Sequence, residues 1–244
     1  MKRKGALFIS LLVTILIFVN LSIINHLSSN VESVRIGRVI DGDTLELEDG
    51  RRIRLLNINA PEKDSLTHEL SLNFLKSLNS SINLEVTGTD KYGRTLGRVY
   101  SPEYVNLQLI EQGLASKFLV DSSELKDFAS AEKKAIKEGK GIWPPSPYSN
   151  CFKATIDKEQ EFVVLDNNCP SLKVKDWTLK DESRKTYKFN DIKITKVILY
   201  TKKGNDNSTD IFWNSDTNIW NNDRDSLYLF DNKGGLASYE TYGY

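Results

Sequence analysis

Histidine is nearly missing from this chain of 244 residues, which has 2 His, 2 Cys and a single Met. With so few His and no CxxC pairing, a zinc site built from His and Cys is excluded. A surplus of either charge is missing too, since 33 Lys plus Arg balance 33 Asp plus Glu. Proteins that wrap duplex DNA through many phosphate contacts carry a large basic excess. Any nucleic-acid contact here is therefore local, through a few placed cations. There is neither an internal repeat nor a low-complexity tract. What is present, 39% hydrophobic and 27% charged residues, is the composition of an ordinary folded protein long enough for more than one core.

One long apolar run stands out. Met1-Lys2-Arg3-Lys4 is cationic, and Ala6 to Ile24 is apolar except at Ser10, Thr14, Asn20 and Ser22. A run of about 19 residues can cross a bilayer as a helix, and it exceeds the usual signal-peptide core of about 7–15. No small-x-small cleavage site follows it. Residues 1–25 therefore read as a signal anchor, with a cleaved signal peptide as the alternative. The cations ahead of it place the remainder outside the cytoplasm, attached to the cell membrane or secreted. Residues 26–33 form a polar tether. In that compartment Cys151 and Cys169 are available for a disulfide, the other reading being two unrelated half-buried thiols.

From Val34 the pattern turns to β. Val34–Ile40 and Thr44–Glu48 alternate around the turn Asp41-Gly42-Asp43, and Asp49-Gly50 signals a hairpin into Arg51–Leu56. Leu66, Leu70, Phe74 and Leu78 recur at helical spacing, with Ser65 as the expected N-cap. Ile82–Val86 and Leu96–Tyr100 read as strands, and Val105–Gln112 and Ser123–Lys137 as helices closed by Gly113 and Gly139. Five strands with a helix after the third predict a mainly β fold with helices, an OB-fold five-stranded barrel spanning residues 34–143. Residues 144–150 read as a Pro-rich linker. Beyond it, residues 151–244 show short alternating runs at Glu161–Leu165, Trp177–Leu179, Lys196–Tyr200 and Leu227–Phe230, the spacing of a β-sandwich.

Three segments carry groups that can do chemistry. Asp41 and Asp43 flank a Gly turn, and close carboxylates suit a hard cation with oxygen ligands. In Arg54-Leu55-Leu56-Asn57-Ile58-Asn59-Ala60-Pro61-Glu62, an arginine ends a strand and a glutamate follows a stiffening proline. Phosphodiester hydrolysis needs a base for water and cations for the charge growing on phosphoryl oxygens, which Glu62 and Arg54 can supply. Asp90-Lys91-Tyr92-Gly93-Arg94 adds a second guanidinium on a turn, beside Lys91 and Tyr92. Taken singly, each of these is as readily a turn or a solvated surface charge.

Together, in this order and followed by Val105–Ala115, the three segments resemble the staphylococcal-nuclease-like (thermonuclease) family over about residues 34–143. The resemblance implies an OB-fold nuclease that holds Ca2+ beside the scissile phosphate of DNA or RNA. Asp43 would then be a direct ligand with Asp41 supporting it, Asn59 and the Ala60 backbone carbonyl further oxygen donors, and Glu62 the group that orients or deprotonates water. Arg54 and Arg94 would bind phosphate and stabilise the transition state, with Lys91 and Tyr92 as substrate contacts. Cleavage in the family leaves a 3′-phosphate and a 5′-hydroxyl. The chain departs from the family at Asn59, where Asp is usual, and at Ser116–Val120, which lacks the family's nucleotide-gripping tyrosines. These departures motivate an alternative, a weakened surface binding protein. Glu161–Asn168, Trp177–Asp181 and Asp225–Asp231 resemble a lamin-tail domain, which implies an immunoglobulin-like, non-catalytic sandwich with a possible cell-surface ligand.

Overall fold

The computed structural model describes residues 13–15, 31–65, 67–170 and 172–244. Two compact units divide them, one made of segments up to Ile40, Thr44–Leu56 and Leu78–Val105, the other of Asp41–Asp43, Asn57–Ser77 and Asn106–Tyr244. The anchor expectation falls on residues 1–25, which lie outside the described residues apart from 13–15. Among the described residues no helix is long and apolar enough to cross a membrane.

In the first unit, β1 (Val31–Asp41), β2 (Thr44–Leu47), β3 (Arg52–Leu55), β5 (Ser81–Thr89) and β6 (Thr95–Tyr100) close into a barrel of order β1-β2-β3-β6-β5. The β3–β6 pair is parallel, and β2–β3, β5–β6 and β1–β5 are antiparallel. Alternation explains the closure: Leu45, Leu47, Ile53, Leu55, Ile82, Leu84 and Val99 all turn inward and are buried. Gly97 is required at the seam, because a Cβ there would stand 2.5 Å from Leu84 Cδ1. The expected five-stranded barrel is thus present, with the helix His68–Lys76 following its third strand.

After Leu56 the chain passes into the second unit. Asn57 takes a left-handed φ of 68°, which Asn tolerates better than most residues, and turns the chain into β4 (Ile58–Asn59). Its side chain fixes that turn by donating to Glu124 Oε2 (2.6 Å) and accepting from the Asp121 N–H (2.9 Å). β4 pairs with β7 (Ser116–Lys117), setting Asn59 opposite Ser116. The helix after it starts at His68 with Thr67 at the cap position and no side-chain cap bond. Ser65 was the expected N-cap; it lies too early, and its Oγ meets Thr67 Oγ1 and accepts from the Thr67 N–H instead.

The remaining chain forms two four-stranded sheets and a two-stranded antiparallel one, β10 (Leu172–Lys173) with β13 (Lys193–Ile194). One four-stranded sheet orders β12 (Thr186–Lys188), β11 (Thr178–Lys180), β16 (Asp225–Phe230) and β17 (Leu236–Tyr242). The other orders β15 (Asp210–Phe212), β14 (Lys196–Tyr200), β9 (Phe162–Asn167) and β8 (Phe152–Asp157). A single apolar core draws Leu179, Leu227 and Leu229 from the first and Val163, Leu165, Val197 and Leu199 from the second, which makes a sandwich. Trp177 and Trp220 belong to that core and Trp213 packs against it, so these rings serve packing. Cys151 and Cys169 are joined by a disulfide across a separation of 18 residues.

The Pro-rich run packs closely. Trp143 is buried and stacked on Tyr228 (centroids 5.1 Å apart), while Pro144 O accepts the Leu236 N–H and the Ser146 N–H donates to Leu236 O. Lys117 is fully buried, its Nζ 2.6 Å from Glu132 Oε2 and bonded to Ser226 Oγ and Tyr239 Oη. One ion pair therefore bolts β7, the helix Leu125–Lys137 and the sandwich strands β16 and β17 together.

Candidate active site

The second unit gathers five of the expected groups around the loop after β4: Asp41, Asp43, Asn59, Ala60 and Glu62. Gly42 makes this possible: a Cβ there would sit 2.2 Å from Ser71 Oγ and 2.7 Å from Ala60 Cβ. With glycine the acidic turn presses onto the loop, and Asp43 Oδ2 accepts the Ala60 N–H at 2.9 Å. Asp41 supports that turn through Oδ1, which accepts the Asp43 N–H at 3.1 Å. Asp43 and Asn59 are both buried, and Asn59 O accepts from Ser116 Oγ at 3.2 Å. Glu62 is the open member, with 71% of its side chain exposed. His68, to which the sequence assigned no role, is buried, and its Nδ1 lies 3.1 Å from Pro61 O, bracing the loop from behind.

A further residue enters that the sequence did not single out. The Arg184 guanidinium donates to the Ala60 carbonyl and to Asn59 Oδ1, and its Nη2 lies 3.1 Å from Glu62 Oε1. Its position, 125 residues beyond Asn59 in a charged turn between two strands, carries no local signal of such a role.

The arginines of the expected clamp belong to the barrel unit. Arg54 is buried on β3, its Nη1 donating to Leu55 O at 2.5 Å. Parallel pairing sets Arg54 opposite Leu96, and Arg94 lies one residue before the strand β6 of that ladder. The loop before Arg94 is tightly determined. Asp90 Oδ1 accepts the N–H groups of Tyr92 and Arg94, its Oδ2 accepts Arg94 Nε at 2.8 Å, and Gly93 turns at φ +80°. Burial pushes the Asp90 carboxyl upward, but those bonds from Arg94 and Tyr92 outweigh it and hold the group below its ordinary value. Tyr92 is 72% exposed, with Lys91 Nζ 5.0 Å and Arg94 Cζ 5.6 Å from its ring centroid. An exposed ring with two cations close by suits a nucleobase stacked near its phosphate.

Carboxylate, amide and carbonyl oxygens around the β4 loop make a donor set that fits a hard cation. Among the described residues no group of three or more His, Cys, Asp or Glu forms a conventional metal cluster. Two of the oxygens, Asn59 Oδ1 and Ala60 O, already face a cation, the Arg184 guanidinium.

Residues 52–145 match the family model for staphylococcal nuclease homologues. Among curated proteins, the chain is 46% identical over 78 residues to an "Uncharacterized endonuclease" of Escherichia coli O157:H7, covering 30% of this chain and 51% of that protein. It is 29% identical over 125 residues to the "Micrococcal nuclease" of Shigella flexneri, covering 43% of this chain and 70% of that one. It is 33% identical over 131 residues to the "Succinoglycan biosynthesis protein ExoI" of Rhizobium meliloti (strain 1021), covering 46% of this chain and 65% of that protein. The chain spans about half the length of the endonuclease it matches. The family model ends at residue 145, so the sandwich lies beyond it.

Proposed function

We propose that this chain is a calcium-dependent nuclease that hydrolyses phosphodiester bonds of DNA or RNA outside the cytoplasm, held at the membrane by residues 1–25. The observation that carries the reading is the nuclease-family match over residues 52–145, a stretch that retains Arg54, Glu62 and Arg94. The disulfide between Cys151 and Cys169 supports an oxidising compartment.

In this reading Glu62 accepts a proton from the attacking water as its oxygen bonds to phosphorus. Its exposure gives water direct access to the carboxylate. Arg54 and Arg94 carry fixed guanidinium donors for the phosphoryl oxygens, on which charge accumulates as the leaving oxygen departs. Asp90 holds the Arg94 head in place, so little of its orientation is left to be organised during reaction. Tyr92 and Lys91 grip the adjoining nucleotide. Asp43, Asn59 and the Ala60 carbonyl would hold the calcium ion, which when bound supplies positive charge beside the phosphate. The sandwich, whose sequence resembles a lamin-tail domain, serves attachment or substrate presentation.

The neutral Asn59 and the guanidinium against it favour a second reading, a surface protein that captures nucleic acid without cutting it. One experiment separates the two: incubate the purified chain with labelled single-stranded DNA in millimolar calcium or in chelator. Calcium-dependent fragments ending in 3′-phosphate support the nuclease, whereas retention of intact strand on a folded protein supports capture.

A further inference from the structure

We infer that Arg184 is an internal cation of the β4 loop and that it competes with calcium for Asn59 and Ala60; this rests on the nuclease reading of that loop. Three contacts carry the inference. The guanidinium donates one nitrogen to the Ala60 carbonyl and another to Asn59 Oδ1, and the second nitrogen also pairs with Glu62 at 3.1 Å. A forked planar cation placed on three convergent oxygens meets the same chemical demand as a hard metal ion, with one positive charge instead of two. A guanidinium and a metal ion gathered on the same two oxygens are like charges a few ångströms apart, so binding of one disfavours the other.

The turn that delivers Arg184 is built for the purpose. β11 and β12 pair with Lys180 opposite Thr186, leaving residues 181–185 as the hairpin tip. Asp181 ties the tip from within, its carboxylate accepting the Lys185 N–H (2.6 Å) and the Ser183 hydroxyl (2.6 Å) while its carbonyl accepts the Arg184 N–H. Glu182 anchors it from outside, donating its N–H to Asp225 and accepting the Leu119 N–H at Oε1. Arg184 itself has φ +70°, a left-handed conformation that side-chain-bearing residues rarely adopt and that persists only where the surroundings impose it. A loosely held surface arginine needs none of these ties, and three-quarters of this side chain is covered, its exposure being 26%.

The consequence is a gate set by calcium concentration. At low calcium Arg184 holds Glu62 and two of the oxygen donors; at high calcium it is displaced and Glu62 is released. The test is calcium titration by calorimetry on the full chain in detergent, comparing wild type, Arg184→Gln and Lys185→Gln. Lys185 is the control because it carries the same charge on the same hairpin but donates elsewhere, to Asn218 O. Arg184→Gln is expected to bind calcium at least tenfold more tightly than wild type, and Lys185→Gln to stay within threefold. Equal or weaker calcium binding by Arg184→Gln, with near-ultraviolet circular dichroism and thermal unfolding unchanged, overturns the inference. So does an equal gain in both variants, which would mark a general charge effect. Cleavage assayed alongside keeps the two readings apart. A wild type and an Arg184→Gln that cut with the same calcium requirement sink the gate and leave the nuclease standing. A gain in calcium affinity with no cleavage by either protein sinks the nuclease and leaves the competition.

Discussion

Replacing Lys117 with methionine tests whether the strand behind the site is held by one buried ion pair. Lys117 and Glu132 are both 0% exposed, and the ammonium also bonds Ser226 Oγ and Tyr239 Oη. Lys117→Met fills the same space but strands Glu132 as a buried anion. That anion keeps the Lys117 N–H at 2.9 Å and the Tyr228 and Tyr239 hydroxyls at 2.9 and 3.0 Å, yet no cation. Breaking a buried pair on one side costs about 3–5 kcal/mol. For a chain of this size that corresponds to a fall in melting temperature of about 6–20 °C. The double variant Lys117→Met/Glu132→Gln removes both charges and should recover most of the loss, since an apolar or neutral replacement of a whole pair is often close to neutral. Differential scanning calorimetry of wild type, single and double variants measures this directly. Because β7 pairs with β4, the single variant should also raise the calcium needed for half-maximal cleavage, although Lys117 touches no substrate. A single variant within 1 kcal/mol of wild type, or a double variant as unstable as the single, would refute the reasoning.

Gly42→Ala should cost about 1–3 kcal/mol and suppress cleavage, because the new methyl overlaps Ser71 Oγ and Ala60 Cβ; adding Ser71→Gly should restore part of both, read by urea midpoint and initial rate. Reduction of Cys151–Cys169, or the Cys151→Ser/Cys169→Ser pair, should remove about 3 kcal/mol from the sandwich, as expected for a loop of 18 residues; near-ultraviolet circular dichroism on heating, with and without reductant, measures it. Burial raises both Asp181 and Glu182 to about 6, above their ordinary values of 3.8 and 4.5. Between those limits the folded state holds more protons than the unfolded one, so this contribution to stability grows as pH falls from about 7 to 5 and is lost as pH rises through about 6. Urea titrations at pH 5 and 7 should therefore show a smaller pH difference for Asp181→Asn than for wild type.

The barrel was legible because its strands obey a local rule. Leu45, Leu47, Ile53 and Leu55 alternate with polar neighbours, and alternation survives without knowledge of partners. In the sandwich, Lys196–Tyr200 was readable as a short β-branched and apolar run. Phe152-Lys153-Ala154-Thr155-Ile156-Asp157 carries the barrel's alternation cleanly, whereas Asp210–Phe212 is too short to show one and only pairing with β14 makes it a strand. Asp43, Asn59, Ala60 and Glu62 came from motif order, and their assembly depends on a close approach at Gly42 that no spacing announces. Residues 144–150 read as a linker because prolines forbid helix and central strand, while the burial of Trp143 just before them is decided by the distant Tyr228. Arg184 was invisible for a similar reason: its partners lie 124 and 125 residues away.

The central claim is that Glu62 serves the hydrolysis of a phosphodiester. Its most direct measurement is the single-turnover cleavage rate of end-labelled single-stranded DNA by the full chain and by Glu62→Gln, at saturating calcium, with DNA affinity measured in parallel. A general base contributes about 10²–10⁴-fold, so the variant should cut at least a hundredfold more slowly while binding DNA within a few-fold of wild type. A variant that cuts at the wild-type rate would contradict the account.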